Sequence, residues 1–438
     1  MKTGKITWKL LFVALLWIAL LSLTIDSGSS FAAETTSGSN STDFSSGKTT
    51  DSATQLLNGF VTESDGFTYY YENSVKTGGW LTIGKNTYYF YKSAHGSIPA
   101  KAMVTDTVVR INGYSYYFDS EGIMQTGWVT WNKKTYYFYK SSHDPIPKGA
   151  AAAGLVRISG YRYYFSSTGQ MKTGWQTING SKYYFKKTAS SAFPKGAAVT
   201  GLIKISGYRY YFSSSGKMQT GWKTINGNEY YFRKSNNTAP KGSAVTGLVK
   251  INGYQYYFNS SGIMQQNQIV GSSSEGYYYV DDSGKVVTTK AIQMAVDYVM
   301  AHSSAALSNS ARLETCFKYM RSTYSYKRYY GTPGASDLSG YAVSYFTNHY
   351  GNCYRYAASV ACIAKVLGYD SRVAVGKIAS VYGGWSAHGW AEVNVNGTWY
   401  ICDVNFNAYM KTTSTYPRSL QADNRYTLTL SEGIAVWK

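Results

Sequence analysis

The chain has 438 residues, a formal net charge of +20 and 4 cysteines. This length allows two or more domains, and so few cysteines exclude a small fold held together by a disulfide framework. No spacing of cysteine and histidine is typical of a zinc site.

The first 33 residues have the pattern of an export signal. Three lysines precede an apolar run over residues 10–23, and small residues continue to Ala32. We therefore predict a signal peptide over residues 1–33, with an uncleaved membrane anchor as the alternative. No later segment is long and apolar enough to cross a bilayer, so the processed protein is predicted to be secreted and not membrane-integral. Residues 34–56 are rich in Ser, Thr and Gly, which predicts a disordered linker.

Tyrosine-rich blocks recur in the next part of the chain. Their period is about 47 residues, which is typical of a repeat architecture. The blocks have sequences such as GYSYYF and GYRYYF, and they begin at Gly113, Gly160, Gly207 and Gly253. Each is followed by a Gly-x-Met-x-Thr-Gly-Trp segment or a variant of it, and then by a second aromatic block.

Each aromatic block is predicted to form half of a β-hairpin. Tyrosine and phenylalanine favour strands, and the pairs Asn179-Gly180 and Asn226-Gly227 are typical of two-residue turns. Alternation along a strand places Tyr161, Tyr163 and Phe165 on one face. A lone hairpin is unstable in water, so the units must stack. The sequence therefore predicts an all-β solenoid of hairpins over residues 57–285.

The positive charge is concentrated in these repeats. Between Pro145 and Ser274 the only acidic residue is Glu229. A solvated basic face and attraction to an anionic cell-surface polymer both fit this distribution. The export signal and the lack of a nucleic-acid-binding motif argue against a nucleic-acid partner.

The pattern GYxYYF…GxMxTGW…NGxxYYF resembles the cell-wall-binding repeats of Gram-positive surface proteins, the family of choline-binding and glucan-binding modules. The resemblance implies ligand sites between aromatic residues of adjacent turns, by cation–π contact or ring stacking. Their walls would be Trp80, Trp128, Trp175 and Trp222. The alternative is that these aromatic residues form hairpin core. Because tryptophan is sparse, a teichoic acid or glycan polymer is preferred to choline as the wall ligand.

From Lys290 the tyrosine blocks stop and helical spacing begins. Apolar residues at this spacing over 291–299, together with the segment 313–319, predict two helices. A Gly/Ser-rich segment over 331–340 predicts a loop.

A third helix is predicted further along the chain, after this loop. Asn352 is a good N-cap, so Cys353 lies in the first turn of a helix that ends near Gly368. The free amides and the dipole of a helix N-terminus stabilise a thiolate.

Three β-type segments follow, at residues 372–378, 387–395 and 398–404. The pair Asn396-Gly397 is typical of a two-residue type I′ turn. Counting back from this turn places His388 and Asp403 on one face, diagonal to each other, and Cys402 on the other. A three-residue loop would break this parity.

The C-terminal region resembles the transglutaminase-like (papain-related) superfamily over roughly residues 286–438. The matching pieces are Gly351-Asn352-Cys353, His388-Gly389-Trp390-Ala391-Glu392-Val393 and Trp399-Tyr400-Ile401-Cys402-Asp403. The resemblance implies an α+β fold with Cys353 as nucleophile, His388 as base and later acid, and Asp403 as the residue that orients the histidine. It implies a protein or peptide substrate and no cofactor.

These features together predict an exported thiol enzyme held at the cell wall by its repeats. Acyl transfer through a cysteine thioester leads either to protein cross-linking or to hydrolysis, and the sequence leaves both open. The backbone N–H of Cys353 is one candidate oxyanion donor, and Tyr326 or a neighbouring upstream tyrosine is a candidate for the second. The alternative is a wall-binding adhesin whose transglutaminase-like domain is not catalytic.

Overall fold

The computed structural model of this protein describes residues 56–438. The predicted signal peptide and all but the last residue of the predicted linker lie outside the described residues. Antiparallel β-hairpins repeat from Gly59 to Val280, and a domain of four helices and a six-stranded sheet follows. The predicted combination of a hairpin array with an α+β domain is confirmed.

Most hairpins pair two strands of five residues. In chain order the strands of the array are β1 Gly59–Thr62, β2 Thr68–Glu72, β3 Val75–Lys76, β4 Gly79–Ile83, β5 Asn86–Phe90, β6 Thr107–Ile111, β7 Tyr114–Phe118, β8 Gly127–Trp131, β9 Lys134–Phe138, β10 Gly154–Ile158, β11 Tyr161–Phe165, β12 Met171–Lys172, β13 Gly174–Ile178, β14 Ser181–Phe185, β15 Gly201–Ile205, β16 Tyr208–Phe212, β17 Gly221–Ile225, β18 Asn228–Phe232, β19 Gly247–Ile251, β20 Tyr254–Phe258, β21 Gln268–Ser272 and β22 Gly276–Val280.

The turns have the predicted type. Asn179 and Gly180 have φ angles of 47° and 72°, and Ile178 pairs with Ser181 across a two-residue loop. Positive φ at both central positions is the mark of a type I′ turn, which matches the twist of the two strands.

The hairpins are joined by backbone hydrogen bonds between successive units. The segment that follows one hairpin donates back to the second strand of the hairpin before it. Thus the N–H of Met124 lies 2.8 Å from the carbonyl of Thr87, and the N–H of Ala151 lies 2.8 Å from that of Ser115. Each unit also buries aromatic rings such as Phe165, which is 1% exposed. Backbone hydrogen bonds and ring burial between successive units together stabilise hairpins that would be unstable alone.

The C-terminal domain packs its helices against an antiparallel sheet. Its elements are α1 Lys290–His302, α2 Asn309–Ser322, α3 Ala335–Asn348, α4 Cys353–Val366, β23 Asp370–Ala379, β24 Trp385–Val395, β25 Thr398–Asp403, β26 Ala408–Lys411, β27 Leu420–Ser431 and β28 Ile434–Trp437. The sheet order is β26-β25-β24-β23-β27-β28, and every neighbouring pair is antiparallel. Helix α4 is buried along almost its whole length within the main core.

The predicted loop over residues 331–340 is wrong in its second half, because helix α3 begins at Ala335. Its buried residues Leu338, Ala342, Tyr345 and Phe346 recur at helical spacing. Burial of this face outweighs the weak helix propensity of the serine and glycine residues in the first turns.

The last hairpin packs directly on the C-terminal domain. Asp281, which follows β22, is fully buried, and its Oδ2 accepts a hydrogen bond of 2.8 Å from the N–H of Gly433 in the β27–β28 turn. The N–H of Thr288 donates to the carbonyl of the same Gly433 at 2.9 Å. Tyr279 of β22 belongs to the main core of the domain. Within residues 56–438, no helix combines the length and apolar character needed to span a membrane.

Candidate functional site

Cys353 is the first residue of helix α4. The side chain of Asn352 accepts a hydrogen bond from the N–H of Arg355, so Asn352 is the predicted N-cap. The Cys353 side chain is almost fully enclosed, with 5% of the residue exposed. At a helix N-terminus the first amides have no acceptor within the helix, and they carry partial positive charge.

His388 and Asp403 meet across strands β24 and β25. The β24–β25 turn has Asn396 and Gly397 at positive φ, and the strands pair from Val395 with Thr398 back to Ala391 with Cys402. This is the register expected from the sequence. His388 Nε2 lies 2.6 Å from Asp403 Oδ2, and both side chains are buried.

The Cys353 thiol is the second side chain whose proximity favours the charged form of His388. Because Nε2 faces Asp403, the other ring nitrogen, Nδ1, is left for the sulfur. Burial disfavours the charged imidazole, but the hydrogen bonds to Asp403 and Cys353 outweigh burial and raise the pKa of His388 to about 9. The structure therefore brings together all three residues that the sequence singled out for catalysis.

Gly389 allows the helix and the strand to approach this closely. A Cβ at position 389 would collide with the ring of Tyr354, which follows Cys353 on α4. Because Gly389 has no side chain, the first turn of helix α4 can pack closely against the strand that carries His388.

Tyr416 is a partner of Asp403 that the sequence did not reveal. Its hydroxyl donates to Asp403 Oδ2 at 2.5 Å, and the N–H of Asn405 donates to Oδ1 at 2.9 Å. Burial is the largest cause that raises the pKa of Tyr416, and the neighbouring Asp403 carboxylate is the second. The hydroxyl therefore keeps its proton and remains a donor. Tyr416 lies outside the strands, and no spacing or motif links it to Asp403.

A second buried carboxylate braces the strand beneath His388. Glu392 accepts hydrogen bonds from Arg372 Nε at 2.5 Å, from Arg425 Nε at 3.0 Å and from Trp390 Nε1 at 3.0 Å. Trp390 is buried and stacks 6.1 Å from the His388 ring. Both residues therefore support the site through packing and charge.

Tyr326 lies beside the cysteine loop. Its backbone forms a bridge with Gly351, and about half of the residue is exposed. Burial raises the pKa of the Tyr326 hydroxyl, and the nearby Cys353 sulfur adds to the shift. The hydroxyl is therefore a protonated donor close to the thiol.

The other three cysteines have no such setting. Within residues 56–438 every cysteine is free, and burial raises the pKa of Cys316 to about 11 and of Cys362 and Cys402 to about 12. They are protonated core residues, as predicted. No cluster of His, Cys, Asp and Glu able to hold a metal ion occurs in the described part of the chain.

The four predicted tryptophans occupy equivalent places in the array. Each ring contacts a tyrosine of its own hairpin and a tyrosine and a phenylalanine of the next hairpin. The ring-centroid distances to the tyrosine of the next hairpin are 4.8 Å for Trp80–Tyr116, 4.8 Å for Trp128–Tyr163, 5.0 Å for Trp175–Tyr210 and 5.1 Å for Trp222–Tyr256. The tryptophans therefore join hairpins and keep part of their surface open, with Trp80 at 39% and Trp128 at 44% exposed.

An open cavity of about 260 Å³ lies at the first of these tryptophans. We call it the Trp80 cage. Its walls include Trp80, Thr87, Tyr114, Tyr116, Met124 and Lys148. Aromatic faces around an open space suit a ligand cation or a sugar ring.

A stack of aromatic hairpins ahead of an α+β domain with a Cys–His–Asp cluster defines a modular protein with a repeat array and a separate C-terminal domain. The chain carries choline-binding repeats followed by a C-terminal transglutaminase-like domain. The choline-binding repeat matches residues 104–144, 152–191, 199–239 and 245–290, and the cell wall binding repeat matches 78–93. The transglutaminase-like superfamily matches residues 296–404, which include Cys353, His388 and Asp403. The repeats point to a wall-associated protein at the cell surface.

Solved structures resemble the chain over about half of its length. Choline binding protein F from Streptococcus pneumoniae is 25% identical over 53% of this chain and 95% of its own, with a TM-score of 0.35. CbpJ from Streptococcus pneumoniae TIGR4 is 24% identical over 53% of this chain and 94% of its own, with a TM-score of 0.35. The modular autolysin LytC of Streptococcus pneumoniae is 20% identical over 53% of each chain, with a TM-score of 0.31. No curated protein matches the chain.

Proposed function

We propose that this protein is an exported cell-wall enzyme that transfers acyl groups through a thioester on Cys353. The observation that carries the proposal is the placement of His388 between the Cys353 thiol and the Asp403 carboxylate. A thiol at a helix N-terminus, a histidine in contact with it and a buried carboxylate behind the histidine form the arrangement that activates a sulfur nucleophile.

In the first half-reaction, the Cys353 thiolate attacks the carbonyl carbon of a carboxamide or peptide. The tetrahedral intermediate then expels the nitrogen, the C–N bond breaks, and the His388 imidazolium gives its proton to the leaving amine. The products are ammonia or an amine and a thioester on Cys353. Asp403 and its partner Tyr416 hold the imidazole in the orientation that serves both transfers.

In the second half-reaction, an amine or a water molecule attacks the thioester. Neutral His388 takes the proton of the acceptor, the C–S bond breaks, and the thiolate–imidazolium pair is restored. An amine acceptor gives a new amide and thus a protein cross-link, whereas water gives a carboxylate. The choice depends on how the cleft excludes water.

The oxyanion of each intermediate needs two donors. The Cys353 N–H in the first helical turn is one, and the Tyr326 hydroxyl beside the cysteine loop is the second candidate. Substitution by Tyr326→Phe would remove the second donor and keep the ring.

The array holds the enzyme at its substrate. The sequence favoured a teichoic acid or glycan over choline, whereas the match to choline-binding repeats favours choline. Choline carried on the phosphates of a teichoic-type polymer satisfies both the aromatic cages and the positive charge of the repeats. Residues 1–33 as an export signal, 34–56 as a linker, 57–285 as the array and 286–438 as the enzyme complete this proposal.

Two parallel assays on the full chain test the enzyme. One measures incorporation of a fluorescent primary amine into a glutamine-rich protein, and the other measures release of an amine from wall-type peptides. We expect activity in at least one assay, with loss of at least about 1,000-fold in Cys353→Ala. The matched control is Cys316→Ala, which removes a buried thiol outside the cluster and keeps activity. Absence of activity in both assays, or full activity of Cys353→Ala, would favour the adhesin alternative.

Sedimentation of the full chain with purified cell walls tests the array. We expect Cys353→Ala to sediment as the native chain does, and choline chloride to release both. Release by sodium chloride alone, with no effect of choline beyond ionic strength, would contradict the choline cages and favour binding by charge only.

A further inference from the structure

We propose that a lysine-lined cavity beside Trp175 binds phosphate, while the aromatic cages at the other tryptophans of the array bind a cation. The site is a cavity of about 440 Å³ lined by Lys182, Lys217 and Lys241, together with Met218 and nearby polar residues. We call it the lysine pocket. The inference deepens the wall-binding function proposed above, because it gives the array a second kind of subsite.

The lysine pocket lies beside Trp175 and shares three repeat positions with the Trp80 cage, although the aromatic walls of that cage have no counterpart in its lining. Thr87, Met124 and Lys148 of the Trp80 cage correspond in the repeat to Lys182, Met218 and Lys241. The backbone confirms the equivalence, because the N–H of Met218 bonds to the carbonyl of Lys182 at 2.8 Å, as the N–H of Met124 bonds to that of Thr87.

Two of the three lysines are specific to this repeat. The position of Lys182 holds Thr87, Thr135 and Glu229 in the other repeats with a Trp. The position of Lys217 holds Ile123, Gln170 and Ile263. Lys241 corresponds to a lysine that recurs at Lys148 and Lys195. Only the repeat that contains Trp175 therefore combines three lysines at one cavity.

Lys182 occupies the space that a ligand cation would need. Its Nζ lies 4.9 Å from the centre of the Trp175 ring, so the aromatic face already has a cation over it. A second cation there would meet the repulsion of three ammonium groups. The Trp175 site is therefore closed to choline by its own lysine.

The three charges also lack a balancing carboxylate. No ion pair in residues 56–438 involves Lys182, Lys217 or Lys241. A concentration of unpaired cations around a cavity attracts an anion of matching size. Hydroxyls of Thr177 and Ser181 line the same cavity and supply further donors to anion oxygens.

Phosphate is the anion that fits this set of donors. It offers several acceptor oxygens to ammonium and hydroxyl groups, and such charge-assisted hydrogen bonds are the strong ones. The phosphate is either a free ion or a diester in the backbone of a wall polymer. On one teichoic-type chain, the neighbouring cages would bind the choline cation and the lysine pocket would bind the phosphate anion.

Calorimetric titration of the full chain tests the inference. The variant Lys182→Thr/Lys217→Ile installs the residues of the Trp80 cage. We expect it to bind inorganic phosphate at least about 10-fold more weakly than the native chain at low ionic strength. We also expect it to bind one more equivalent of choline chloride, because the Trp175 face is now free. A poly(glycerol phosphate) of defined length should bind more tightly than inorganic phosphate if the diester is the natural source.

The control variant Lys204→Thr/Lys250→Thr removes the same charge from exposed strand positions. It should keep phosphate affinity within about two-fold, with circular dichroism as the check on folding. Unchanged phosphate affinity and choline stoichiometry in Lys182→Thr/Lys217→Ile would overturn the inference. If neither protein binds choline but the phosphate difference is present, the lysine pocket stands and the choline cages fail.

Discussion

The two halves of the molecule use their side chains in opposite ways. The array repeats one aromatic site along Trp80, Trp128, Trp175 and Trp222, and each tryptophan contacts a tyrosine of the next hairpin. The C-terminal domain builds a single site from α4, β24 and β25, and each of its groups has one place. Binding that is shared among copies tolerates change at one copy, whereas chemistry at a single centre does not.

The copies of the array also differ from one another in sequence. In the array, position 182 and its equivalents change from threonine to lysine to glutamate without disturbing the hairpin register. In the C-terminal domain, Asp403 has its hydrogen-bond partners His388, Asn405 and Tyr416 within a largely buried network. Substitutions in the two regions should therefore differ in effect by orders of magnitude.

The largest effect is expected at the carboxylate. Asp403→Ala removes the group that orients His388 and stabilises its charge, and we expect kcat to fall by roughly 1,000-fold. Steady-state kinetics in whichever assay the native chain supports measures the loss. Asp370→Ala is the matched control, since this aspartate forms only a surface ion pair with Lys365. Equal activities of Asp403→Ala and Asp370→Ala would show that Asp403 has no role in the reaction.

A smaller loss is expected from a change that touches no catalytic group. Gly389→Ala places a methyl group against the Tyr354 ring and pushes the cysteine turn away from His388. Displacement of about 1 Å costs roughly 100-fold in kcat. Gly340→Ala is the control, because nothing lies within 4 Å of its added Cβ in helix α3. That variant should keep activity and gain about 0.5–1 kcal/mol of stability. Full activity of Gly389→Ala would show that this contact does not position the thiol.

The next effect is on the pH profile. The pKa of His388 is raised from 6.5 to about 9, so the imidazolium remains paired across neutral pH and loses its proton as pH rises through about 9. We expect activity to fall by about 10-fold per pH unit above that value. The stability contributed by the shift is fully present below about pH 6.5 and is lost through about pH 9. Activity measured in buffers from pH 6 to 10, and urea unfolding measured in the same buffers, distinguish the effect of pH on activity from its effect on stability. An alkaline limb near pH 6.5 would contradict the pairing.

The smallest effect is expected in the array. Trp222→Ala opens one cage and should lower the choline stoichiometry by one, while cell-wall affinity falls only a few-fold because other cages remain. Trp175→Ala should leave the choline stoichiometry unchanged, since Lys182 already occupies that face. Equal losses in the two variants would mean that the four cages are equivalent.

Local rules predicted much of the fold and of the site. Asn-Gly turns fixed the hairpin register in the array and between β24 and β25, because positive φ at both positions allows few alternatives. The N-cap at Asn352 predicted the position of Cys353 correctly, because an asparagine side chain there accepts a hydrogen bond from a free amide of the first turn. Helix α3 was missed because its stability comes from a buried face and not from its residues' propensity. Tyr416 was missed because only tertiary folding brings its irregular segment to Asp403.

Alkylation of the native chain by iodoacetamide near neutral pH tests directly whether Cys353 is an activated nucleophile. Peptide mapping then gives the rate of reaction at each of the four cysteines. We expect Cys353 to react at least about 10-fold faster than glutathione, because it begins helix α4 and lies beside His388. Cys316, Cys362 and Cys402 should react only after unfolding, since they are buried and their pKa values are raised. Reaction of Cys353 no faster than glutathione would contradict the claim that it is an activated nucleophile.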